Sequence, residues 1–85
     1  PHKRRKGYHL AIAHWLAAHA GPDFTVTVAE HLEQAGAYAE AAQQYEQAAT
    51  YARSRGATQE AAGLQTYAHN FREKRPETGR LRGNK

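Results

Sequence analysis

Cysteine and methionine are absent from the 85 residues, tryptophan occurs once and proline three times. Without cysteine no disulfide can staple the chain, and cysteine usage says nothing about the redox compartment. No apolar run approaches the roughly 20 residues of a membrane span, and no secretory signal opens the sequence. These absences argue against a membrane partner and for a cytoplasmic location. With no methionine and proline at position 1, the chain is expected to be a fragment of a longer protein. Bulk is scarce too. The hydrophobic class is 40% of the chain, but 18 of those residues are alanine, which leaves 16 large apolar or aromatic side chains. At roughly 1.5 kcal/mol of ordering cost per residue, a domain this small needs efficient packing to be stable.

Charge is present but segregated. Residues 1–20 carry Lys3, Arg4, Arg5 and Lys6 and no acid, for a net +4. Residues 21–50 carry Asp23, Glu30, Glu33, Glu40 and Glu46 and no lysine or arginine, for a net −5. Residues 51–85 return to net +5. A dedicated nucleic-acid binder shows one continuous basic face, and this basic–acidic–basic layout is different.

Apolar periodicity predicts an all-α chain of four antiparallel helices, at about 2–20, 23–35, 37–55 and 57–73. In the first, Tyr8, Ile12, Trp15 and His19 fall on one stripe, with Ala11 and Leu16 flanking it and Leu10, Ala13 and Ala17 opposite. A helix apolar on two sides asks to be covered on two sides. The second face is therefore expected to meet missing sequence or another copy. Gly21-Pro22-Asp23 supplies stop and start signals for the next helix. Phe24–Val28 alternates like a strand, yet Phe24, Val28, Leu32 and Ala35 continue as a helical stripe and no partner strand is evident. The third helix gathers Tyr38, Ala41, Ala42, Tyr45, Ala48, Ala49 and Ala52 on one face. In the fourth, Ala57, Ala61, Leu64, Ala68 and Phe71 point inward, with Thr58 as its N-cap. Residues 1–75 are read as one helical domain and 76–85 as a disordered basic tail.

One motif repeats. Gly36-x-x-x-Glu40-Ala41-Ala42 recurs 20 residues later as Gly56-x-x-x-Glu60-Ala61-Ala62. Helices stacked on so short a period are how helical solenoids are built. With Gly36 and Tyr38 at the turn and Ala41, Tyr45 and Ala48 at the small, aromatic and small interlocking positions, the stretch from Phe24 to Phe71 resembles a tetratricopeptide-type repeat. The first-helix half departs from the pattern, since Thr25 stands at the tryptophan position and Leu32 at the tyrosine position. Gly63 fits the small mid-helix position of a second repeat.

The opening Arg4-Arg5-x-x-Tyr8-His9-Leu10-Ala11-Ile12-Ala13-x-Trp15-Leu16, followed by Ala29-Glu30-His31-Leu32-x-x-Ala35-Gly36, adds a second likeness. It is similar to the helical region after the ATPase module in bacterial signal-transduction proteins. The output domains of such proteins include nucleotide cyclases and transcriptional regulators. The resemblance implies a sensor or scaffold segment. No phosphate-binding Gly-Lys-Ser/Thr loop is present in the chain itself.

Chemistry finds little to stand on. His9, His14 and His19 are five residues apart, so they diverge by about 140° per step around a helix, and no His-Glu-x-x-His motif occurs. No metal or cofactor is expected. A pH response of the histidines is a lesser reading. No hydroxyl lies in an elbow or glycine-rich loop that would expose a nucleophile, so no catalytic residue is assigned and no enzyme is expected.

The expected function is a non-catalytic protein–protein interaction module of a larger bacterial regulator, binding a protein, a peptide or other domains of its parent. In tetratricopeptide repeats the first helix of each pair lines the concave groove. Carried over position by position, that resemblance places Val26, Glu30 and Glu33 on the groove from one repeat and Glu60 and Tyr67 from the next. The Lys3-Arg4-Arg5-Lys6 arm reads as a solvated helix start, or as a grip for phosphate. The rival function is a small basic helical nucleic-acid-binding domain. Homodimerisation through the alanine face and the doubly apolar first helix is a third reading.

Overall fold

The computed structural model describes residues 2–73, and every regular element among them is helical. Helix α1 spans His2–His19, a short 3-10 turn covers Pro22–Phe24, and α2, α3 and α4 span Thr25–Gln34, Tyr38–Ser54 and Thr58–Glu73. The basic tail expected at 76–85 lies outside the described residues. The strand-like alternation at Phe24–Val28 is helix. Proline at the first position of the 3-10 turn and the Thr25 hydroxyl donating to the Pro22 carbonyl at 2.9 Å wind that segment before the α-helix proper begins. This turn shortens the second helix from the expected 23–35. It also turns Phe24 outward, half exposed, where the stripe had it facing in.

Each helix packs on its neighbours in sequence, α1 on α2, α2 on α3 and α3 on α4. The turns that allow this are built alike. At the end of α2, Gly36 adopts φ +79°, its N–H donates to the Glu33 carbonyl, and the Ala37 N–H reaches back to the Leu32 carbonyl at 2.9 Å. At the end of α3, Gly56 adopts φ +82°, its N–H donates to the Arg53 carbonyl, and the Ala57 N–H reaches the Ala52 carbonyl, again at 2.9 Å. Both are Schellman turns, which require a left-handed residue that glycine supplies without strain. The echo in the sequence is thus an echo in backbone geometry.

Each turn also starts the next helix. The Ala37 and Ala57 carbonyls accept the first helical bonds, from Ala41 and Ala61. Ala57 therefore holds the capping position expected of Thr58, and α4 starts without the side-chain cap.

Alanine sets how closely the helices approach. Ala29, Ala41, Ala42, Ala49, Ala52 and Ala68 are fully buried, with Val28, Leu32, Tyr45, Leu64 and Phe71 filling the larger spaces. Between α3 and α4 the aromatic rings form a continuous stack. Tyr67 lies on Tyr45 at 5.3 Å, Tyr45 on Phe71 at 5.7 Å, and Phe71 on Tyr38 at 5.8 Å. Offset ring pairs of this kind are worth about 0.5–1.5 kcal/mol each beyond the area they bury.

In α1 the face that packs is Leu10, Ala13 and Leu16, with Ala13 wholly buried. The stripe of Tyr8 and Trp15 faces solvent, at 65% and 60% exposed. Helical period alone left the choice between the two faces open, and the reach of α2 decides it. Gly63 is a second departure. A Cβ built there meets nothing within 4 Å, so no neighbour approaches it and its place at the small mid-helix position reflects no close contact.

Candidate functional site

A cleft of about 340 Å³ opens where α2 and α4 rise on either side of α3. Its walls are Val26, Glu30, Glu33 and Gln34 from α2 and Leu64 and Tyr67 from α4, and Tyr45 of α3 forms its floor. Helical spacing explains the α2 wall, because residues 26, 30 and 33 lie three and four apart and share one face. The complementary face of α2, Val28, Ala29 and Leu32, is in the core. Four of the five expected groove residues, Val26, Glu30, Glu33 and Tyr67, therefore meet in one place.

Glu60 does not join them. It lines a smaller adjoining hollow with Val26, Tyr51 and Arg55, and its carboxylate pairs with the Arg55 guanidinium at 3.6 Å. The negative charge of the cleft thus comes from Glu30 and Glu33. Arg55 also lies over the Tyr51 ring at 4.8 Å, and the Tyr51 hydroxyl donates to Asp23 at 3.1 Å. That hydrogen bond, then the Asp23 charge, raises the Tyr51 pKa.

Sequence reasoning placed Tyr45 in the core and missed its second role. Its hydroxyl donates to Glu33 Oε1 at 3.1 Å. Burial first, and then the charge and hydrogen bond of Glu33, push the phenol well above its ordinary range, so it remains a neutral donor. The bond holds the Glu33 carboxylate at the mouth of the cleft above stacked aromatic faces. The resulting surface is apolar at the bottom and anionic at the rim, suited to a side chain with an alkyl stem and a cationic head. At this volume the cleft is at the small end for a cofactor site.

The histidines divide as their spacing implied. The three on α1 point to different neighbours, and the described residues contain no group of three or more histidine or acidic side chains able to hold a metal. His9 meets His31 of α2 with their Nδ1 atoms 2.9 Å apart, one ring N–H donating to the other nitrogen. His14 approaches Glu40, and His19 Nδ1 donates to the Trp15 carbonyl.

Of the basic arm, Arg5 and Lys6 are exposed on α1. The Lys6 ammonium lies beside Gly36, 3.9 Å from where a Cβ would stand, close to the carbonyl-rich C-terminus of α2. A cation is favoured at that end of a helix. Lys3 and Arg4 fall within the helical span of α1. No described helix is long and apolar enough to cross a membrane.

No protein-family model matches the chain, and neither a curated protein nor a solved structure matches it.

Proposed function

We propose that this chain is a non-catalytic interaction module that holds a basic segment of another protein in the cleft between α2 and α4. The observation that carries the reading is the joining of Glu30 and Glu33 from one helix with Tyr67 from another over the Tyr45 ring. A lysine or arginine stem would lie along Leu64, Val26 and the aromatic faces while its head met the carboxylates. An arrangement of one apolar pocket and fixed charge gives orientation and partner choice more than raw affinity. The two matched glycine turns and packing chiefly between helices adjacent in sequence support the tetratricopeptide-like solenoid reading. In the wider proposal the module belongs to a cytoplasmic bacterial signalling regulator with an ATPase module and a separate output domain.

The test is fluorescence anisotropy of a labelled arginine/leucine-alternating peptide at 150 mM salt, with a labelled 20-base-pair duplex as the other arm. The peptide is expected to bind in the micromolar range. The double charge reversal Glu30→Lys/Glu33→Lys should weaken it at least tenfold, or about 1.4 kcal/mol. Unchanged peptide affinity in that variant removes the cleft as the site. Tight, salt-steep duplex binding instead would make the chain a nucleic-acid binder.

A further inference from the structure

The row of helices has unlike ends. At the α4 end the outer face carries Gln59, Thr66, His69 and Asn70, all exposed and polar. At the α1 end it carries Tyr8, Ala11, Trp15 and Ala18 exposed, with Ile12 half-buried. Stacked-helix proteins remain soluble because their terminal helices turn a polar face outward, and α4 does this while α1 does not. Residues 8 and 15 are one heptad apart, as are 11 and 18 and 12 and 19, so the open face of α1 is a two-turn seam of the kind helices use to pair.

We propose that two copies of this chain associate through α1, with the two α1 helices antiparallel about a two-fold axis near Ala11 and Ile12. Charge chooses the partner and the direction. The first 20 residues carry four bases and no acid, all at the N-terminal end of α1. The other end of the same helix presents its last carbonyls, the negative pole of the helix dipole, and residues 7–20 carry no lysine or arginine. The seam is therefore complementary to itself when reversed. Antiparallel pairing brings Arg5 of one copy to the C-terminal turn of the other, whereas parallel pairing would set two four-base runs side by side.

Shape agrees with the same register. Tyr8 falls opposite the second copy's Trp15, ring against ring, and small Ala11 falls opposite its larger Ile12. Isologous contacts of this kind close at two copies. The indole is already held for the purpose. His19 stacks on Trp15 at 4.5 Å while its own Nδ1 is tied to the Trp15 carbonyl, so little freedom is lost on contact.

The test uses the intact 85-residue chain in sedimentation velocity between 5 and 500 µM, with emission of the sole tryptophan as a second readout. The expected result is a monomer–dimer transition in that range, with Trp15 emission shifting to the blue as dimer forms. Trp15→Ala should raise the dissociation constant at least tenfold. Tyr8→Ala should do the same, with helicity by circular dichroism unchanged in both because the positions are exposed. A chain that remains monomeric at 500 µM overturns the proposal and leaves the face to another segment or protein.

Direction is read separately, since a chain without cysteine permits single-cysteine probes. Ala11→Cys should cross-link under mild oxidation. Ala18→Cys should not, its two copies being about 20 Å apart along the antiparallel pair at 1.5 Å per residue. Efficient cross-linking of Ala18→Cys overturns the antiparallel geometry.

Discussion

Tyr45 joins the core to the cleft, since one side of its ring is packed and its hydroxyl is committed to Glu33. Because its pKa in the folded chain is raised above the free value of about 10, folding is opposed by ionisation. The stabilisation is fully present below pH 10 and is lost as pH rises further, when the unfolded chain gives up a proton that the folded chain keeps. Urea denaturation at pH 8 and pH 10.5 should show this as a lower midpoint at the higher pH. Tyr45→Phe should cost about 1 kcal/mol at pH 8 and reduce the alkaline loss. An equal alkaline loss in that variant would assign the effect to other groups, with Tyr51 and its bond to Asp23 the first alternative. At this scale the sequence showed which residues shared a helix face, and it was the resemblance to tetratricopeptide repeats that pointed to Val26, Glu30, Glu33 and Tyr67. It could not show that the Tyr45 hydroxyl reaches Glu33 or that Arg55 claims Glu60. Such contacts depend on how far long side chains extend between elements, and no spacing rule encodes that.

The helices were legible because period and turn signals agreed. Gly36 and Gly56 sit where a left-handed residue is needed, and Tyr38–Ser54 has five of its six alanines on one face. What period could not supply was the choice of packed face in α1, where both sides are apolar and only the position of α2 settles it. Nor could it separate glycines that a turn requires from a glycine that merely tolerates its place. Gly56 and Gly63 make the contrast measurable. Gly56→Ala puts a Cβ at φ +82° and should destabilise by about 1–2 kcal/mol. Gly63→Ala, in open space within α4, should stabilise by about 0.5–1 kcal/mol through helix propensity and a less free unfolded chain. Thermal melts of the two variants moving in the same direction would contradict this reading of the turns.

For the whole molecule, the docking of α1 on α2 includes one contact that depends on proton count. The His9–His31 bridge holds a single proton between two nitrogens 2.9 Å apart. Once both rings are charged the bond is lost and repulsion replaces it. Near the pair, Arg5 and Lys6 lie within a turn of His9, and the Tyr8 ring lies 5.8 Å from it. On α2 the acids within one turn of His31 are Glu30 and Glu33, which line the cleft, and on the α3 side Glu40 is approached by His14. Removing the bridge should show in the stability of the whole fold: His31→Leu should lower the melting temperature at pH 7.5 by several degrees, on the scale of about 4–8 °C per kcal/mol for a domain of this size. A variant that melts with the wild type would assign the docking of α1 to its apolar face alone.

Among the described residues, nine of the fourteen in the core are alanine. A methyl group has no rotamers to freeze, so closing these contacts exacts almost no side-chain entropy, which offsets the modest area each one removes from water. The same economy leaves no slack. A larger residue at Ala42 or Ala49, both wholly buried, would have to push a neighbouring helix away.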